Sequence, residues 1–143
     1  QKINETKISD PKWGQDHWNT ILHNYKKAPY FEEYRKIVEA IYLNNNEEYL
    51  SKINYLFIKT ICDILGIKTA LLWSSEFELL DERNERLIDI CKKRKATYFH
   101  YSVYPDYNQL HGHFYHAVSI LDLIFNEGPD SFKFMKSFNL HEK

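Results

Sequence analysis

An imidazole that titrates near neutrality is the most versatile proton carrier a protein owns, and His17 is set among Trp13, Trp18 and Tyr25 in one apolar-patterned stretch. Facing a cleft, it would serve as a general base. Facing a neighbouring helix, it would be an interfacial histidine in a packing seam. A second concentration of chemistry lies further on, where Tyr101, Tyr104, Tyr107, Phe114 and Tyr115 combine flat apolar faces with hydroxyls. That combination suits a sugar ring or a nucleobase, although each ring taken singly is also ordinary core filling. Four of the seven histidines, His100, His111, His113 and His116, fall in the same region. In extended chain His111 and His113 would share a face. No carboxylate or cysteine stands beside them at a ligand spacing and no HEXXH pair occurs, so no metal ligand is assigned.

Other catalytic signatures fail on residue type. With four glycines in 143 residues there is no phosphate-cradling loop and no GXSXG elbow, and no cofactor is named by the pattern. Cys62 and Cys91 both lie on apolar helical stripes, the setting of small core residues rather than of activated thiols or a disulfide framework. The acids Asp81, Glu82, Glu85 and Asp89 and the bases Lys92 to Lys95 match the two ends of a helix dipole, which explains them without a ligand.

Composition bounds the partners. Nineteen Lys and Arg against twenty Asp and Glu give a net charge of −1, so the chain as a whole has no basic excess for nucleic acid. Apolar residues at 43% and charged residues at 27% are ordinary for a globular domain, and 143 residues make one. Aromatics at 16% are the unusual component. No uncharged run reaches the roughly 20 residues that span a bilayer, and no signal peptide opens the chain. The expected setting is soluble and cytoplasmic. Gln1 stands where a methionine would begin a complete chain.

The elements that must position these groups are mostly helical. Asp10-Pro11 opens a helix over about 11–27, with Trp13, His17, Ile21 and Tyr25 recurring every four residues. Pro29 interrupts it, and Phe31, Tyr34, Ile37, Val38, Ile41 and Tyr42 mark a second helix. The three asparagines 44–46 make a turn. Leu50 to Leu65 reads as a third helix closed by Gly66. IKTALLW at 67–73 predicts a buried strand, 81–95 a fourth helix, and YFHYSVY at 98–104 a second strand. Ser119 with Asp122 resembles a capping box ahead of an apolar helix that Gly128 closes, and Pro129 begins a last one. Helix and strand in alternation predict an α/β fold: a helix-rich single domain with a small, mainly parallel sheet.

Taken together, WGQDHWNTILHNYKKAPYF at 13–31, ERLIDICKK at 85–93 and YNQLHGHFYHAVSILDLIFNEGPD at 107–130 resemble the WbqC-like protein family. The first block carries the Trp, the His four residues on, the later Tyr and the KAPYF ending. INETKI at 3–8 and ICDILGIKT at 61–69 extend the likeness over nearly the whole chain, in the family's order. Two departures stand out. The family's usual N-terminal strand region does not precede Gln1, and its segment after the helix like 85–95 is missing at the Thr97-Tyr98 junction.

Such proteins occur in gene clusters for bacterial O-antigen and related surface glycans, and transfer of glycine to a sugar has been suggested for them. The resemblance therefore implies a transferase of surface-polysaccharide biosynthesis, moving a glycyl or other aminoacyl group onto an amino sugar. It implies as partners a sugar nucleotide or lipid-linked sugar and an activated amino acid. In that chemistry His17 would be the base, and Tyr107 and Gln109 would orient the reactants or stabilise the oxyanion. The residues expected to contact substrate are Trp13, Trp18, Tyr25, Tyr104, His111 and Phe114, with the two tryptophans stacking on the sugar. The alternative is a non-catalytic protein that binds a sugar nucleotide or glycan through the same aromatics. A metal hydrolase built on His100 to His116 comes third.

Overall fold

A computed structural model of the chain describes residues 3–73, 107–110, 112 and 118–136. After a 3-10 turn at Ile3–Glu5 come α1 (Trp13–Tyr25), α2 (Phe31–Leu43) and α3 (Leu50–Leu65). Further along are α4 (Ile120–Glu127), a 3-10 turn at Gly128–Asp130 and α5 (Ser131–Lys136).

The starts and stops follow local chemistry. The Asp10 carboxylate accepts the Lys12 N–H at 2.8 Å, and the Asp10 carbonyl accepts that of Trp13, so the chain turns into α1 two residues after Pro11 begins the bend. The asparagine turn forms as expected. The Asn45 side-chain amide donates to the Ile41 carbonyl at the end of α2, and the Asn45 side-chain oxygen accepts the Glu47 N–H. Gly66 ends α3 in the left-handed region at φ 67°, where an L side chain would be strained. Ser119 caps α4 by accepting the Leu121 N–H at 3.3 Å. Asp122 does not complete the expected capping box, because its carboxylate is engaged elsewhere.

The core is a seam of aromatic and branched residues. Phe31 stands edge-on to Phe125 at 5.0 Å between ring centres, Trp18 stacks on Phe31, and Val38, Ile61, Leu65, Leu121 and Ile124 pack around them. Every residue from Leu121 to Asn126 is buried, which makes α4 the axis of the fold, enclosed on all sides. The α1–α2 crossing is unusually close. A Cβ on Gly14 would collide with the backbone carbonyl of Tyr42, so only glycine fits there.

The α/β expectation is overturned. Among the described residues there is no strand and no sheet, only one antiparallel bridge between Lys7 and Tyr49. Residues 67–73 are irregular, with Leu72 89% and Trp73 53% exposed. The reason is local. Gly66 reverses the chain, Ile67 N–H reaches back to the Cys62 carbonyl at 2.8 Å, and Trp73 stacks on Tyr55 of α3 at 5.0 Å. A short apolar run with β-branched residues satisfies the strand pattern, but no ladder partner meets it. The helix expected over 81–95 and the strand over 98–104 lie outside the described residues.

Candidate functional site

Two polar residues interrupt the apolar helix α4, Asp122 and Asn126, one turn apart. Both are buried, at 9% and 5% exposure, and a buried carboxylate requires donors. Tyr107 supplies one, its hydroxyl donating to Asp122 Oδ1 at 2.6 Å, while Gln109 Nε2 donates to the Tyr107 oxygen at 3.1 Å. Tyr25, on the last turn of α1, brings a second phenol to the same carboxylate. Asn126 Nδ2 donates to Asp122 twice, at 2.8 Å to the backbone carbonyl and 3.3 Å to Oδ1, and its own buried Oδ1 has no hydrogen-bond partner among the described residues.

The electrostatics follow from that burial. Desolvation, then the negative charge of Asp122 and the hydrogen bond to it, push the Tyr25 phenol up to about 12. Tyr107 is raised further by burial and by its bond to Asp122, with the Gln109 donor opposing the shift. Both phenols are therefore neutral donors at physiological pH. Burial, reinforced by Asp130, also raises Glu127, whose carboxylate accepts the Asn108 N–H. That bond, the Tyr107–Asp122 bond and the edge contact of Tyr107 with Phe134 at 6.1 Å tie residues 107–110 onto α4 and α5.

His17 belongs to a different neighbourhood. Its ring lies 4.9 Å from that of Trp13 and parallel to Tyr42 at 6.1 Å, with 6° between the planes. Trp13 and Tyr42 are themselves 5.6 Å apart, and Phe57 continues the row edge-on to Tyr42. His17 is exposed, Trp13 and Tyr42 are half-buried, and burial raises the Tyr42 phenol. Eight positions separate His17 from Tyr25, which at about 1.5 Å per residue is roughly 12 Å along α1.

Of the residues expected at the site, Tyr25, Tyr107 and Gln109 thus converge on Asp122, and Trp13 joins His17 on the outer face of α1 and α2. Trp18 is 4% exposed and stacked on Phe31, a core position rather than a surface for sugar. Tyr104, His111 and Phe114 lie outside the described residues, as do His100, His113 and His116. Among the described residues no three His, Cys, Asp or Glu side chains are grouped to hold a metal, and no helix is long and apolar enough to cross a membrane.

The sequence pattern assigns Asp122 to a helix cap and Asn126 to no role. The available signal was two polar side chains four residues apart on the inward side of SILDLIFN, a pattern that forces a buried polar network once the helix is enclosed.

Comparison with known proteins supplies the wider setting. The family model described as the WbqC-like protein family matches residues 1–100 and 93–134. An uncharacterized protein of Mycobacterium tuberculosis is 36% identical over 156 aligned residues, spanning 92% of this chain and 68% of that protein. The alignment is longer than the 143 residues here, so it includes positions at which this chain has no residue. No solved structure matches. The chain belongs to the WbqC-like protein family.

Proposed function

We propose that this protein works in the cytoplasm in the biosynthesis of bacterial surface glycans, as a transferase that moves a glycyl or related aminoacyl group onto an amino sugar. Family membership supports the glycan setting. The observation that carries the chemistry is the exposed His17 imidazole beside the half-buried Trp13 ring at 4.9 Å, a proton acceptor next to an aromatic face on which a sugar can stack. In the reaction, the acceptor amine attacks the acyl carbonyl and gives its proton to His17. The donor's leaving group departs with the electron pair. Tyr107 and Gln109 hold the segment 107–110 on α4, the Tyr107 hydroxyl donating to Asp122 and Gln109 Nε2 donating to the Tyr107 oxygen.

A second reading is favoured by that same network. Two phenols that stay protonated around a buried, hydrogen-bonded carboxylate offer no group ready to move a proton, as in a non-catalytic binder of sugar nucleotides or glycans.

Incubation of the full chain with a nucleotide-activated amino sugar and glycyl adenylate, followed by mass spectrometry of the sugar, tests the proposal. A glycyl adduct that disappears with His17→Ala is expected. Calorimetric binding of the nucleotide sugar with no adduct would establish the second reading, and neither adduct nor binding would overturn both.

A further inference from the structure

The reversal at Gly66 leaves a cleft between α3 and the chain that runs back beside it. Tyr55, Lys59, Cys62 and Asp63 line it from α3, and Lys68 and Thr69 from the returning segment, around a volume of about 240 Å³. Its far margin is the stack of Trp73 on Tyr55, with the Lys52 ammonium 4.6 Å from the Trp73 ring centre. Two lysines, Lys59 and Lys68, thus line the cleft with one aspartate. None of Lys59, Asp63 and Lys68 forms an ion pair among the described residues, although Lys59 and Asp63 are one helical turn apart. Unpaired ammonium groups on both walls of one cleft make a site for an anion.

We propose that this cleft binds a sugar phosphate, with the phosphate between Lys59 and Lys68 and the ring hydroxyls directed to Asp63 and Thr69. Size is in keeping with a small ligand. Pockets for drug-sized molecules run to about 300–1,000 Å³, and a cleft of about 240 Å³ suits a phosphorylated monosaccharide. Chemistry agrees: lysines meet the phosphate, a carboxylate and a hydroxyl meet sugar hydroxyls, and the Tyr55 ring offers an apolar wall. The site is separate from the Trp13–His17 surface, and binding there requires no acyl transfer.

Isothermal titration of the full chain with glucose 1-phosphate, galactose 1-phosphate, inorganic phosphate and free glucose tests the assignment. Both sugar phosphates should bind more tightly than inorganic phosphate, and free glucose should give no heat. Lys59→Ala and Lys68→Ala should each weaken binding by about tenfold or more. Lys36→Ala, an exposed lysine on α2, should leave it unchanged. Bound sugar phosphate should also slow alkylation of Cys62 by iodoacetamide, read at its own peptide by mass spectrometry so that Cys91 does not interfere. Absence of binding, equal affinity for inorganic phosphate, or indifference to both lysine substitutions would overturn the proposal. His17→Ala should bind sugar phosphate normally, so a failed transfer reaction and a failed cleft give different results.

Discussion

The Tyr107 hydroxyl donates to the Asp122 carboxylate across 2.6 Å, joining a segment outside the helices to the inward side of the most enclosed helix in the fold. Charge-assisted hydrogen bonds of this length are strong, and a buried carboxylate that loses a donor is costly to leave unpaired. Tyr107→Phe should lower the free energy of unfolding by about 1–3 kcal/mol. Urea denaturation of Tyr107→Phe, Asp122→Asn and the double variant checks this. The pair should cost less than the two single changes added together, because they remove one shared interaction.

Alkali should expose the same cluster. Below the ordinary phenol value of 10, Tyr25 is protonated in both folded and unfolded chains and its full contribution to stability is present. Between pH 10 and about 12 the unfolded chain releases the proton while the folded one retains it, so stability falls as pH rises. Tyr107 and Tyr42 act in the same direction. Thermal melts from pH 8 to 12 should show a declining midpoint, and Tyr25→Phe should make that decline shallower.

Gly14→Ala puts a methyl group into the Tyr42 carbonyl, and the two helices must separate to admit it. A loss of about 1–3 kcal/mol is expected in chemical denaturation. Gly66→Ala meets no neighbouring atom but keeps φ at 67°, so its cost of about 1 kcal/mol is purely conformational. The first substitution should also quench or shift Trp13 fluorescence, since Trp13 packs on Tyr42, whereas the second should not.

His17→Ala removes an exposed ring and should leave stability within about 0.5 kcal/mol of the parent. Loss of transfer in a variant that melts normally would separate proton transfer from folding. Trp13→Ala is expected to raise KM for the sugar more than it lowers kcat, because an aromatic platform binds without reacting.

Much of this architecture was readable in the chain. The repeats of Trp13, His17, Ile21 and Tyr25, and of Leu50 through Leu65, announced helices because a 3.6-residue period leaves a continuous apolar stripe. Gly66 marked its helix end through φ alone. Residues 67–73 form no strand because their composition speaks only of burial and β-branching, while a strand also needs a distant neighbour that no local pattern announces. The site was legible in part. Tyr25, Tyr107 and Gln109 stand out by type, but Asp122 reads as a cap, since the segment that engages it approaches from outside its own helix. Trp18 and His17 are adjacent in sequence and opposite in fate, one in the core and one in solvent, because a helix turns by about 100° between them.

Helix α4, whose residues Leu121 to Asn126 are all buried, follows α1, α2 and α3 in the sequence. The first three helices therefore leave the ribosome with the faces of Trp18, Phe31 and Leu65 still wet, and their keystone arrives only once residues 120–127 have been translated. Until then a nascent chain presents a ready-made groove to chaperones, and an early stop codon anywhere before Ile120 would yield a sticky fragment rather than a smaller working protein.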